Sequence, residues 1–178
     1  MRYSGDIIRK GCGYLNLLII GAGGHGHVVK EIAEDTNNFD KIDFVDDNCP
    51  DAVGKIEDLH KLHDLYDSAF VSIGNNKFRE ELISKLIEIG YNIPTLIHPT
   101  AYVSKSCKIG SGTVIEQRAV INANATIGNG CIISVNAVVD HDTLIGNVVH
   151  INAGAIVMSG VNVDNYVKID AGQVVKGF

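Results

Sequence analysis

Ala119-Val120-Ile121-Asn122-Ala123-Asn124-Ala125-Thr126-Ile127-Gly128-Asn129-Gly130-Cys131-Ile132-Ile133 repeats isoleucine at every sixth position, with a small residue two places before each. The phase holds in both directions. Val103, Ile109, Ile115, Ile121, Ile127, Ile133, Val139, Ile145, Ile151, Val157, Val163, Ile169 and Val175 all obey it, so thirteen six-residue units run from Ala101 to Phe178. An amphipathic helix repeats at about 3.6 residues and a strand at about 2, so a strict period of six belongs to a stacked repeat. Each unit reads as a short strand and a turn. Three units make a triangular coil of eighteen residues, and stacked coils bury a continuous aliphatic ladder. A sandwich of short strands would lose the phase at its loops. The expected fold here is an all-β parallel β-helix.

The other bounds come from composition. The chain has 178 residues, enough for one large or two small domains. A net charge of −6 and the absence of any basic run exclude nucleic acid as a partner. The apolar stretch ending at Ile20 is far too short to span a membrane, so no membrane insertion is expected. Residues 1–16 are partly basic and lack the apolar core of a secretion signal, so they read as an extension without a legible role. Cys12, Cys49, Cys107 and Cys131 lack metal or redox spacing. No metal site is expected, and a reducing, cytoplasmic location fits.

Upstream of the repeat, strand and helix signals alternate. Strands are expected at Leu17–Ile20, Lys41–Val45, Ala69–Ile73 and Ile93–Ile97. Helices are expected from about Gly26 to Glu34 and from Phe78 to Ile89, where Phe78, Leu82, Leu86 and Ile89 share a face before Gly90. That order implies a small parallel sheet, an α/β half-Rossmann domain over residues 17–97. His98-Pro99 reads as the hinge into a β-helix domain over residues 98–178.

Gly21-Ala22-Gly23-Gly24-His25-Gly26 fits GxGxxG after a strand and at the start of a helix, and Asp46-Asp47 ends the next strand. This is the nucleotide-binding fingerprint in its required context: glycines let backbone N–H groups reach a phosphate at a helix N-terminus. A tight turn that binds nothing is the alternative. NAD needs two mononucleotide halves, and there is room for one. A single nucleotide, such as the UDP of a sugar nucleotide, fits better. Gly74-Asn75 closes a further strand on the same sheet edge and is either part of the ligand site or a helix cap. Arg79 could reach a phosphate or be solvated. His25 could touch substrate. His27, His60 and His63 read as surface.

In the repeat, Asp140-His141-Asp142 breaks the aliphatic pattern at a turn. A carboxylate on one ring nitrogen sets the tautomer and raises the basicity of the other, which prepares a general base. His150 lies half a coil away, as a ligand-binding or structural histidine. With eighteen residues per coil, Ser159 stacks over His141 and Lys168 over His150, with coils about 4.8 Å apart. A backbone N–H near Ser159-Gly160 could then serve as an oxyanion donor.

Five segments together resemble one family: Ile19-Ile20-Gly21-Ala22-Gly23-Gly24-His25-Gly26-His27, Val45-Asp46-Asp47, Ile73-Gly74-Asn75-Asn76-Lys77-Phe78-Arg79, Leu96-Ile97-His98-Pro99, and Asp140-His141-Asp142 with Ile145-Gly146-Asn147-Val148-Val149-His150-Ile151. It is that of the bacterial sugar O-/N-acetyltransferases of the PglD/NeuD type, hexapeptide-repeat acyltransferases with a left-handed β-helix. The resemblance covers about residues 17–178. It implies a homotrimer, acetyl-CoA as donor, and a UDP-linked amino-sugar or a sialic acid as acceptor. It makes His141 the catalytic base and Asp142 its orienting carboxylate. It makes His150 the histidine that contacts acetyl-CoA, and the stacking adds Ser159, Gly160 and Lys168 as expected acetyl-CoA contacts. Gly21, Gly23, Gly24, His25, Gly26, Asp46, Asp47, Gly74 and Asn75 would hold the nucleotide sugar. The sequence departs from the family at Ser159, where glycine is usual, and at Val163-Asp164 and Ile169-Asp170, where Ile-Gly is usual. It also stops at Phe178, where relatives run on, so a shortened far end of the CoA site and an open strand edge are expected. The expected function is acetyl transfer to the amine of a UDP-linked amino-sugar in bacterial glycan synthesis. O-acetylation of sialic acid is the alternative within the family. A non-catalytic sugar-nucleotide-binding or scaffold protein is the alternative outside it, and a small NAD-dependent oxidoreductase is disfavoured.

Overall fold

The structure, a computed structural model, describes residues 15–177, so the role of the 1–16 extension falls almost wholly outside the described residues. The chain divides into two compact units between Pro94 and Thr95.

In the first unit a parallel sheet has the order β2-β1-β3, with β1 at Asn16–Ile20, β2 at Lys41–Val45 and β3 at Ser68–Val71. β1 is the central strand. Leu17 to Ile20 are at most 1% exposed, which explains why the run is continuously apolar rather than alternating. Helices α1 (Gly24–Asp35) and α3 (Asn76–Ile89) pack on it through Val29, Ile32, Leu82 and Leu86. Phe78, expected on the buried face of α3, is 42% exposed in the first turn. A 3₁₀ turn at Ile56–Asp58 and the four-residue α2 (Leu59–Leu62) have no periodicity to announce them.

The expected fourth strand of this sheet is a correction. Only Asn92 bridges to Ser68, while Leu96–Ile97 pairs with Val114–Ile115 and is the first rung of the solenoid. The repeat therefore begins one hexapeptide earlier than expected. Ile97 is in phase with Val103, but the following His98-Pro99 reads as an interruption. His98 is no hinge. It is a buried solenoid corner whose Nδ1 accepts the Thr100 N–H at 3.0 Å.

In the second unit every hexapeptide supplies one two-residue strand, from β4 (Leu96–Ile97) to β17 (Val174–Val175). The strands form three parallel sheets, each pairing residues eighteen apart, as in Ile132↔His150 and Val138↔Ile156. Second residues point inward and build the ladder that includes Ile115, Ile133, Ile151 and Ile169. The departures at Val163-Asp164 and Ile169-Asp170 leave it intact: Val163 and Ile169 stay buried and the aspartates face outward.

Every sixth residue from Gly112 to Gly172 turns a corner in the left-handed region. Glycine, asparagine and aspartate hold most of these corners, as steric cost dictates. Arg118, Val148 and Tyr166 sit there at a cost of about 1–2 kcal/mol each. Asp142 occupies one such corner, at φ 56°.

Candidate active site

The corner after β11 (Val138–Val139) is Asp140-His141-Asp142. The left-handed turn at Asp142 folds its carboxylate back on its neighbour, and His141 Nδ1 lies 2.7 Å from Asp142 Oδ2. With Nδ1 engaged, Nε2 is the nitrogen left to take a proton. The imidazole is about half exposed. Its hydrogen bond to Asp142 raises its pKa above the usual histidine value, and the charges of Asp140 and Asp142 add to this. The bonds from His141 and Asn124 hold the Asp142 carboxyl below its usual range. Those from Asn122 and the His141 N–H do the same for Asp140.

The coil above closes over this corner. Gly160 donates its N–H to the His141 carbonyl at 3.1 Å, so that N–H belongs to the stack and is withdrawn from the pair expected to supply an oxyanion donor. The Ser159 N–H, eighteen residues above His141, has no acceptor among the described residues.

His150 is the outward residue of β13 (His150–Ile151), in register between Ile132 and Lys168. His150 and Lys168 therefore share one outward ladder, on a different sheet from β11. Its Nε2 lies 3.4 Å from Ser134 Oγ. Sequence reading missed Glu116, which is buried one coil below Ser134. Its Oε2 accepts the Val135 N–H at 2.9 Å, and burial pushes its pKa up. It is the only glutamate between residues 98 and 178, and that was the available signal.

In the first unit the four glycines of the 21–26 loop divide by role. Gly21 has φ +106° and donates its N–H to Val45 O. A Cβ on Gly26 would lie 2.1 Å from Gly21 O, so helix α1 meets the turn where only glycine fits. Gly23 and Gly24 face open space, as a ligand-facing loop requires, and Gly74 does too. Asp46 is already engaged by the backbone. Its Oδ2 accepts the Ala22 N–H and its Oδ1 the Asn48 N–H, both at 2.8 Å, which lowers its pKa. Asp47 accepts the Ile56 N–H at 3.0 Å, and both aspartates border a cavity of about 560 Å³ with Asn48, Cys49, Val53 and Lys55. Asn75 Oδ1 caps α3 by accepting the Phe78 N–H at 3.1 Å, so the capping alternative describes its side chain.

Arg79 is not solvated. It is fully buried, donating to Ile73 O and Asn76 Oδ1 at 2.8 Å each, and it stitches the β3–α3 loop. Ser72 Oγ similarly bridges Ile20 O and Gly21 O, a tie only the folded sheet reveals. His63 packs edge-on against Tyr91 instead of lying free on the surface. His25 lies in the first turn of α1, and burial, then the Arg79 charge, pushes its pKa down to about 4. Its imidazole is neutral at physiological pH, a hydrogen-bonding group without charge. Below about pH 6.5 the unfolded chain binds a proton that the folded one refuses until about pH 4. Stability is therefore expected to fall as pH drops through that window. His25→Gln should flatten that part of a melting-temperature profile.

A hexapeptide solenoid with an acid-braced histidine at a coil corner defines an acyltransferase of the hexapeptide-repeat class. Comparison bears this out. Residues 16–86 match the PglD N-terminal domain and residues 106–141 the bacterial transferase hexapeptide repeats. The acetyltransferase domain of PglB from Neisseria gonorrhoeae is 31% identical, with 90% of this chain and 91% of that one covered and a TM-score of 0.82. PerB from Caulobacter crescentus, solved with CoA and GDP-perosamine, is 30% identical, with 90% and 88% covered and a TM-score of 0.79. The UDP-N-acetylbacillosamine N-acetyltransferase of Bacillus subtilis is 34% identical over 111 residues, and the chain spans about half the length of that curated relative, 50%. The chain belongs to the PglD-type family of sugar acetyltransferases. Among the described residues no helix is long and apolar enough to cross a membrane, and no cluster of His, Cys, Asp or Glu is suited to a metal.

Proposed function

We propose that this protein transfers the acetyl group of acetyl-CoA to the amine of a nucleotide-linked amino-sugar. The observation that carries the reading is the His141–Asp142 pair at 2.7 Å, with Nε2 left for a substrate proton and the Ser159 N–H one coil above. The acceptor amine attacks the thioester carbonyl carbon while His141 Nε2 takes its proton. The Ser159 N–H stabilises the oxyanion that forms. Collapse expels the CoA thiolate, which recovers the proton from His141 as the free thiol. An amine arrives largely as an ammonium, which the ionised Asp140 and Asp142 attract, and it releases one proton to solvent before the neutral amine attacks. His150 and Lys168, on one outward ladder, suit the thioester arm and the phosphates of CoA. The open glycines of the first unit suit a sugar nucleotide. Acetyl-CoA and sugar nucleotides are cytoplasmic metabolites, so the reaction belongs in that compartment.

The test is thiol release from acetyl-CoA across UDP-linked amino-sugars, GDP-perosamine and free or CMP-linked sialic acids. Turnover with an amino-sugar nucleotide is expected. Turnover with a sialic acid alone would overturn the amine reading. Silence throughout, with sugar-nucleotide binding in calorimetry, would leave a binding protein.

The active form is a homotrimer on this reading. Tyr102, Val120, Val138, Ile156 and Val174 stack in register on the outer surface of one sheet, an all-apolar ladder whose middle rung, Val138, lies three residues before His141. Tyr102, Ile156 and Val174 are 59%, 37% and 46% exposed in the single chain. Such a face is normally covered, and threefold packing of solenoid faces covers three at once. Ile156→Lys is expected to give monomers with far weaker acetyl-CoA binding. Light scattering that finds a wild-type monomer with full activity would rule the trimer out.

A further inference from the structure

Both carboxylates flanking His141 are held from the preceding coil. Asn124 Nδ2 donates to Asp142 Oδ1 at 3.0 Å, and Asn122 Nδ2 donates to Asp140 Oδ1 at 2.8 Å. Each asparagine lies eighteen residues before its aspartate and so stands one rung below it in the same column. The two bonds act on different parts of the histidine. Asp142 presents its other oxygen, Oδ2, to the ring at Nδ1, while Asp140 Oδ1 also accepts the His141 backbone N–H at 2.8 Å. Ring and backbone are thus separately tied to the coil below. Asn124 is anchored in turn, its N–H donating to Ser106 Oγ at 2.9 Å.

The corner is largely solvent-exposed, with the Asp142 side chain at 57%. A lone surface carboxylate there would turn freely between water and imidazole and gain little net from the pair. Packing holds it little, with more than half of the side chain exposed. An amide donor on the oxygen that faces away from the ring removes that freedom. Asparagine also suits the position sterically. At φ 61° it tolerates the left-handed corner while supplying the donor, which glycine cannot do.

We propose that Asn124, supported by Asn122, is a positioning residue for the base. Its amide clamps Asp142 so that the second carboxylate oxygen stays on His141 Nδ1, and so sets the tautomer and proton affinity of His141 from one coil away. This rests on His141 serving as the base. The charged groups that face His141 are Asp140 and Asp142. The coil below contributes the uncharged Asn122 and Asn124, and the coil above the uncharged Ser159 and Gly160.

Two substitutions of Asn124 separate this role from a structural one. Asn124→Gly keeps the left-handed corner without strain and removes the donor. Asn124→Asp keeps the shape and sets a carboxylate against Asp142. Clamp loss frees Asp142 from the ring, so Asn124→Gly should lower the His141 pKa. The added negative charge of Asn124→Asp should raise it. NMR titration of the His141 ring in the purified trimer or monomer reads this directly, with no substrate needed. The acid limb of kcat/KM should move the same two ways, with kcat about two- to tenfold lower in Asn124→Gly, the size of one net hydrogen bond, and the KM for acetyl-CoA unchanged. In an Asp142→Asn background, Asn124→Gly should have no further effect on the titration. A His141 titration unmoved or raised in Asn124→Gly would overturn the clamp whatever the activity. A titration that moves as stated in a protein that releases no thiol would uphold the clamp and overturn the proposed reaction instead.

Discussion

Replacing His141 with alanine is expected to lower kcat by about 10² to 10⁴-fold, the range of a lost general base. Acetyl-CoA and sugar-nucleotide affinities should hold, since the imidazole is half exposed and supports no packing. Single-turnover transfer with calorimetry of both ligands is the measurement. Near-normal turnover would remove His141 from the mechanism. The pH dependence gives a second check. His141 must be neutral to accept a proton, and its pKa is raised, mainly by Asp142. Activity should therefore fall with acidification through a pKa above about 6.5, and Asp142→Asn should shift that limb to lower pH.

The second large effect is on stability. Gly26→Ala puts a methyl at 2.1 Å from the Gly21 carbonyl, where backbone must move. A loss of about 3 kcal/mol from the first unit is expected, the upper part of the range for overpacking. It should show as a lower melting transition, with the solenoid transition unchanged. Gly23→Val is the counterpart. Its Cβ enters open space, so folding should be nearly unaffected while sugar-nucleotide affinity falls. If Gly23→Val bound the UDP-sugar normally, the loop would be a turn and nothing more.

The solenoid was legible because its physics is one-dimensional. Each coil contacts only its neighbours, so the demand for an aliphatic residue at each rung recurs at a fixed spacing and appears directly in the chain from Val103 to Val175. The same spacing placed Ser159 over His141 and Lys168 beside His150, because stacking converts sequence separation into position. Asp140-His141-Asp142 could be read as a base with its carboxylates because all three are adjacent in the chain.

The tertiary structure alone decided what each polar group does once folded. Arg79 could have reached a phosphate or been solvated, yet it is fully buried in its own loop, and Asp46, expected at the nucleotide sugar, already accepts two backbone N–H groups. A motif names residue types but cannot say which backbone groups will reach them first. Gly160 lost its place as an oxyanion donor because its N–H meets the His141 carbonyl below. Leu96–Ile97 changed domain because strand pairing is settled by the partner offered, Val114–Ile115, and not by local propensity. The Asn122 and Asn124 bonds to the base's carboxylates likewise exist only because coils stack. Periodicity in sequence carries the ladder, while the hydrogen bonds between rungs depend on which side chain points out at each corner, and that is fixed only when the corners are folded.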